Sequence, residues 1–164
     1  MALSGGAPVT LATGQRQPQG IAVGGNNVYW TTIPNNEVMS VPVGGGKTTV
    51  FASAQNAPWA ITVDAVNVYW TTVGDNTVMM APIAGGAPTT LASQQCKPNG
   101  IAVDEQSVYW TNQTCGTVMK VPITGGSPTM LASVQGGAFG ITVDGTSVYW
   151  TTLTGGTVMK LTPK

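Results

Sequence analysis

Ser107-Val108-Tyr109-Trp110-Thr111-Asn112-Gln113-Thr114-Cys115-Gly116-Thr117-Val118-Met119-Lys120-Val121-Pro122 is one of four versions of a single stretch. Its Val-Tyr-Trp-Thr returns at Val28–Thr31, Val68–Thr71 and Val148–Thr151, 40 residues apart each time. Val-Met follows in phase at Val38-Met39, Val78-Met79, Val118-Met119 and Val158-Met159. Working outward, Ile-Ala-Val or Ile-Thr-Val opens each unit at Ile21, Ile61, Ile101 and Ile141. A Gly-Gly turn closes each of the first three, at Gly44-Gly45, Gly85-Gly86 and Gly125-Gly126, with Gly5-Gly6 in the matching place near the start. A fixed period of this length is read before any local signal, because it sets the architecture.

Each unit reads as four short strands. In the third, Gly100–Val103, Ser107–Asn112, Thr117–Ile123 and Pro128–Ala132 are rich in Val, Ile, Tyr, Trp and Thr, which suit a pleated surface. They are bounded by Asp, Asn, Gly and Pro, which suit turns. Strands a to d of this length, joined by turns of two to five residues, form an antiparallel meander. In Val108-Tyr109-Trp110 successive side chains point to opposite faces, yet all are large and apolar. A sheet solvated on one face alternates apolar with polar, so this sheet is covered on both faces. Radially stacked blades provide that cover, and the expected fold is an all-β propeller of four-stranded antiparallel blades. The repeats fall at approximately 20–52, 60–92, 100–132 and 140–162, in one domain spanning 1–164. Ala7–Ala12 matches strand d, as in Ala87–Ala92, and the fourth repeat stops after strand c. Residues 7–12 are therefore expected beside Thr157–Leu161, completing the last blade and covering its edge.

The repeat resembles YWTD-type propellers and the related NHL- and TolB-like ones. Tyr-Trp-Thr on strand b and Pro98-Asn99-Gly100-Ile101-Ala102-Val103-Asp104 leading into strand a carry the resemblance. It is similar also to bacterial arrays with a VYWT…GTVMKVP…GG unit. The Asp that follows Tyr-Trp-Thr in the YWTD family is replaced by Thr32, Thr72, Asn112 and Thr152, so its role does not carry over. YWTD domains close with six blades, whereas four repeats are present here. Three assemblies follow: a compact four-bladed ring, two chains forming an eight-bladed ring, or part of a larger ring. Self-association into the two-chain ring is the expected partner arrangement.

Composition narrows the chemistry. Six basic and six acidic residues in 164 give no net charge, which offers no basic patch for nucleic acid. No apolar run approaches the roughly 20 residues of a membrane-spanning helix, and the opening residues Met1–Gly6 carry no leader pattern. The chain has no His, which removes the usual base for a Ser or Cys nucleophile. Streptogramin-lyase propellers, which the repeat faintly resembles, use His chemistry. Two thiols without His make a poor zinc site, so no metal or cofactor is expected. Asp64, Asp104 and Asp144 recur just after strand a and are expected to cap the a–b turn. Trp30, Trp70, Trp110 and Trp150 are expected in the packing between blades.

The function expected is non-catalytic binding. Trp59 stands in the d–a loop where other repeats place Gln19, Asn99 and Phe139. With Arg16, Gln55, Gln95 and Gln135 these residues form an amide-rich loop face with a single cation. Such a face offers hydrogen bonds and a stacking surface to a glycan or peptide. A structural or interaction scaffold without a small ligand is the alternative. Cys96 and Cys115 fall in d–a and b–c loops on one face, where a disulfide is feasible. That bond would favour a secreted or periplasmic setting.

Overall fold

The computed structural model describes residues 6–164. Among them are fifteen strands and no helix. The first blade comprises β1 (Pro18–Gly24), β2 (Asn27–Thr32), β3 (Glu37–Pro42) and β4 (Thr49–Ala52). The second comprises β5 (Pro58–Val63), β6 (Asn67–Thr72), β7 (Thr77–Pro82) and β8 (Thr89–Ala92). The third comprises β9 (Pro98–Val103), β10 (Ser107–Asn112), β11 (Thr117–Pro122) and β12 (Thr129–Ala132). The fourth has three strands, β13 (Ala138–Val143), β14 (Val148–Thr152) and β15 (Thr157–Leu161). Every sheet is a simple antiparallel meander in chain order.

The Val-Tyr-Trp strand lies second in each sheet, and its two faces feed two different interfaces. Tyr29 and Val38 point towards the second blade and pack with Ile61, Val68, Trp70 and Ala81. Tyr69 and Val78 meet Ile101, Val108, Trp110 and Val121 in the same way. Tyr109 and Val118 meet Ala138, Val148 and Trp150. At the three junctions the indoles of Trp70, Trp110 and Trp150 are thus buried against the preceding blade and the phenol rings of Tyr29, Tyr69 and Tyr109 against the following one, which is why consecutive residues of one strand are all large. The continuous apolar run is explained by cover on both faces.

Strand a begins two residues earlier than the sequence pattern suggests, at Pro98 rather than Gly100. The extension is irregular. Pro58 is opposite Thr72 and Ile61 opposite Trp70, so the strand carries more residues than its partner between these pairs. The same irregularity recurs in the other three blades. A bulge of this kind frees backbone groups from the ladder, and these groups build the blade junctions described below.

The first strands stack in series, β1 on β5, β5 on β9 and β9 on β13. The series forms an arc whose two outermost faces do not meet. Val158 is 80% exposed, although its equivalents Val38, Val78 and Val118 are wholly buried. Ile21 is 69% exposed, against 7% for Ile61. The expected pairing of residues 7–12 with Thr157–Leu161 is therefore not made within the chain. Residues 7–12 form no strand, and Leu11 and Ala12 lie against Val28, Trp30 and Val41 of the first blade. The arc does not turn far enough for one chain to bring its last blade round to them.

Candidate functional site on the loop face

The freed backbone groups of the bulge are satisfied by the Thr of Val-Tyr-Trp-Thr. Thr71 Oγ1 accepts a hydrogen bond from Ala60 N–H of its own blade (3.1 Å) and donates to the Asn99 carbonyl of the next (3.0 Å). Thr31 does the same between Gly20 N–H and the Trp59 carbonyl. Thr111 joins Gly100 N–H to the Phe139 carbonyl. One buried hydroxyl per junction thus ties two blades through main-chain atoms. It also fixes the backbone at Trp59, Asn99 and Phe139, whose side chains occupy the loop face. The approach is close: a Cβ on Gly100 would lie 2.4 Å from the Phe139 carbonyl oxygen.

Trp59, Asn99 and Phe139 line one pocket with Val73, Lys97 and Gln113, enclosing about 320 Å³. The structure thus brings together three of the residues singled out from sequence. Asn99 is only 4% exposed, and its amide has no hydrogen-bond partner among the described residues. An amide that borders a pocket and is not engaged internally offers a donor group and an acceptor to a ligand. Lys97 supplies the pocket's one cation.

The remaining candidates lie elsewhere. Gln19 borders a groove on the first blade with Leu11, Gln15, Ile21 and Trp30. Arg16 is exposed, outside the pocket. The glutamines are held internally. Trp70 Nε1 donates to Gln55 Oε1 (2.9 Å), and Gln55 Nε2 donates to the Ser53 carbonyl (2.8 Å). Trp110 with Gln95 and Trp150 with Gln135 repeat the pair, as does Trp30 with Gln15. An indole N–H needs an acceptor when buried. The recurrence of Gln at 15, 55, 95 and 135, in phase with the tryptophans, was the available signal for this role.

Cys96 and Cys115 form a disulfide with Cα atoms 5.5 Å apart. One repeat earlier, Asn56 and Asp75 occupy the same two positions and are joined by a hydrogen bond from Asn56 Nδ2 to Asp75 Oδ1 (3.0 Å). The loops are further held by Thr114 N–H on the Cys96 carbonyl and Gln113 N–H on the Lys97 carbonyl. The disulfide therefore fastens a loop contact that the fold makes without it, and it points to an oxidising environment.

The opposite face carries the recurrent aspartates. Asp64 Oδ1 accepts from Val66 and Asn67 N–H, and its other oxygen accepts from the Tyr69 hydroxyl. Asp104 and Asp144 repeat the arrangement with Tyr109 and Tyr149. These carboxylates cap the a–b turn and receive the phenol that packs between blades. Burial pushes the Tyr69 and Tyr109 hydroxyls up to about 12, helped by the aspartate each faces. For Asp104, burial opposes ionisation. The Lys164 ammonium (2.7 Å), two backbone N–H groups and the Tyr109 hydroxyl outweigh it and hold the carboxyl at about 2. The Thr146 N–H, the Tyr149 hydroxyl and the Ser147 N–H hold Asp144 at about 2 as well. One carboxylate per blade, each engaged in its own turn, does not make a catalytic pair.

No family model matches the chain, and no curated protein matches it in sequence. Solved structures do. A chain of the nidogen/laminin complex superposes with a TM-score of 0.86 at 22% identity, over 99% of this chain and 66% of that one. The fold is a β-propeller. The computationally designed Ika4 protein matches with a TM-score of 0.82 at 18% identity, over 98% of this chain and 99% of that one. A virginiamycin B lyase from Staphylococcus aureus, described as catalytically inactive through replacement of a histidine by alanine, matches with a TM-score of 0.78 at 16% identity. The propeller covers 93% of this chain and 55% of the lyase. The chain thus spans no more than about two-thirds of the nidogen/laminin and lyase chains it resembles. These likenesses give the fold and not the role, since the same fold appears in a designed protein and in a lyase.

Proposed function

We propose that the propeller is a non-catalytic binding module whose loop-face pocket takes an uncharged polar ligand with a flat apolar face, a glycan or a peptide segment. Asn99 carries this reading. Its side chain borders a pocket between Trp59 and Phe139, and its amide makes no hydrogen bond to another described residue. The aromatic rings supply area at low entropic cost, and the amide supplies one donor group and one acceptor, which together orient a hydroxyl or peptide group. The absence of His leaves the site without the base that the lyase chemistry implies. A secreted or periplasmic setting accords with the disulfide.

The test is a glycan and peptide array followed by titration calorimetry of whatever binds. Trp59→Ala and Asn99→Ala are each expected to weaken binding by about tenfold or more, ~1.4 kcal/mol, with the far-ultraviolet spectrum unchanged. Binding that survives both substitutions would refute the pocket. A second reading, a scaffold without a small ligand, is favoured by one specific observation: the amides of Gln15, Gln55, Gln95 and Gln135 serve the tryptophans rather than the loop face. Silence across both arrays would support it.

A further inference from the structure

We infer that the two outer faces of the arc are halves of one interface, and that a second copy of this chain occupies them, giving a closed ring of eight blades. The three internal junctions supply the template. At each, a Thr hydroxyl donates to the carbonyl of the residue before the Gly or Ala that opens the next bulge: Thr31 to Trp59, Thr71 to Asn99, Thr111 to Phe139. Thr151 accepts from Gly140 N–H in the standard way (3.0 Å) but donates to nothing among the described residues. Gln19 holds the matching carbonyl on the first blade and receives no such bond. A second relay runs between loops: Gln55, Gln95 and Gln135 N–H donate to the carbonyls of Asn36, Asn76 and Gly116. The equivalent donor, Gln15 N–H, and the equivalent acceptor, the Gly156 carbonyl, both lack that bond among the described residues. Each orphan on the last blade has its counterpart on the first.

The apolar surfaces correspond in the same way. The last blade presents Val158, 80% exposed, beside Tyr149. Their equivalents Val38 and Tyr29 are buried on Ile61, Val68 and Trp70. The first blade presents Ile21 and Val23, exposed, beside Trp30. Residues 7–12 complete the correspondence. In the interior, Ala52, Leu91–Ala92 and Leu131–Ala132 of each fourth strand pack on the following blade. Leu11 and Ala12 already pack on Val28, Trp30 and Val41 in that manner. They stand where a preceding blade's fourth strand belongs, with no third strand beside them, while β15 has a free outer edge. The register Val38↔Ala52, Met39↔Val50 and Ser40↔Thr49, moved by one repeat, places Val158 opposite Ala12, Met159 opposite Thr10 and Lys160 opposite Val9 of the second copy. The required partner must offer a Tyr, a Val, a free Thr hydroxyl and a free loop carbonyl in blade spacing, and β14–β15 of this chain offers all four. Two such heterologous contacts related by a two-fold axis close a ring.

Native mass spectrometry and sedimentation equilibrium of the full chain are expected to give twice its 16.8 kDa. Val158→Asp changes a side chain exposed in the single chain, so the fold is retained and the mass falls to that of one chain. Thr10→Cys combined with Met159→Cys is expected to give a covalent two-chain species on a non-reducing gel. A wild-type mass of one chain, a doubled mass that survives Val158→Asp, or a mass that keeps growing with concentration would each overturn the two-copy ring. So would a Thr10–Met159 crosslink confined to single chains.

Discussion

Replacing Thr71 by Val tests the claim that the Thr of each repeat holds the blades together. The substitution keeps the branched shape and removes one hydroxyl. Thr71 is completely buried, so no water replaces what is lost. Two main-chain groups then stand unpaired: the Ala60 N–H, which the bulge has already taken out of the ladder, and the Asn99 carbonyl. Leaving a buried polar group unsatisfied costs about 1–3 kcal/mol, so the pair amounts to roughly 2–6 kcal/mol. Part is recovered if the junction relaxes, which puts the expected loss near ~3 kcal/mol. That is a large fraction of the total stability of a small domain, typically about 5–15 kcal/mol. Thr151→Val is the internal control. Its hydroxyl is exposed and bridges nothing in the single chain, so under conditions where the chain is monomeric the loss is expected to stay within about 0.5 kcal/mol. Urea unfolding followed by tryptophan fluorescence reads both, because Trp110 is packed in the substituted junction and Trp70 in the one before it. Equal midpoints for Thr71→Val and the wild type would refute the hydroxyl-relay account of the junction.

Two further outcomes are expected. Reducing the Cys96–Cys115 disulfide, whose half-cystines are 19 residues apart, should cost about 3 kcal/mol by release of chain entropy while leaving the loop contacts and far-ultraviolet spectrum in place; loss of the β-sheet signal on reduction would contradict the loop-staple role. Asp104 and Asp144 are held at about 2 from an ordinary 3.8, so their contribution to stability is complete above pH ~4 and is lost as pH falls towards ~2. Thermal midpoints measured across that interval should fall with pH and fall less in Asp104→Asn; an unchanged slope in that variant would contradict it.

The repeat made the fold legible because every level of it agrees: period, strand length, turn residues and two-faced apolar strands all describe one stacked sheet. Trp70, Trp110 and Trp150 lie in the blade interfaces, and Trp30 lies under Leu11 and Ala12 on the outer face of the first blade, because nothing else in a neutral, glycine-rich chain buries so much area. Asp64, Asp104 and Asp144 were legible for a similar reason, since a carboxylate repeated at one turn position satisfies that turn. The glutamines were not. A polar residue in a loop reads as solvated or ligand-directed, and nothing local to Gln55 reveals that an indole fifteen residues later needs its oxygen. Strand a was equally misjudged at its start, because a bulge does not follow the period-two pattern by which strands are recognised.

The same contrast separates the pocket from the scaffold. Trp59, Asn99 and Phe139 are three different side chains on one repeated backbone position, and that position is pinned by the Thr hydroxyl of the preceding blade. The pinned carbonyl leaves the side chain with no structural duty, so it varies from blade to blade while Thr, Gln and Trp stay constant. In a repeat protein this distinction is physical: constant positions serve the junction, which is the same at every blade, and variable ones face whatever is not repeated. Gln19 is the fourth member of the variable set, and its carbonyl is the one that no Thr reaches within the chain. The three internal junctions pin Trp59, Asn99 and Phe139, and Gln19 stays unpinned in the single chain. On the proposed two-copy ring, a Thr151 hydroxyl of the second copy would pin the Gln19 carbonyl, so a ligand that contacts Gln19 would bind more tightly as the ring assembles, and the two equilibria would be linked.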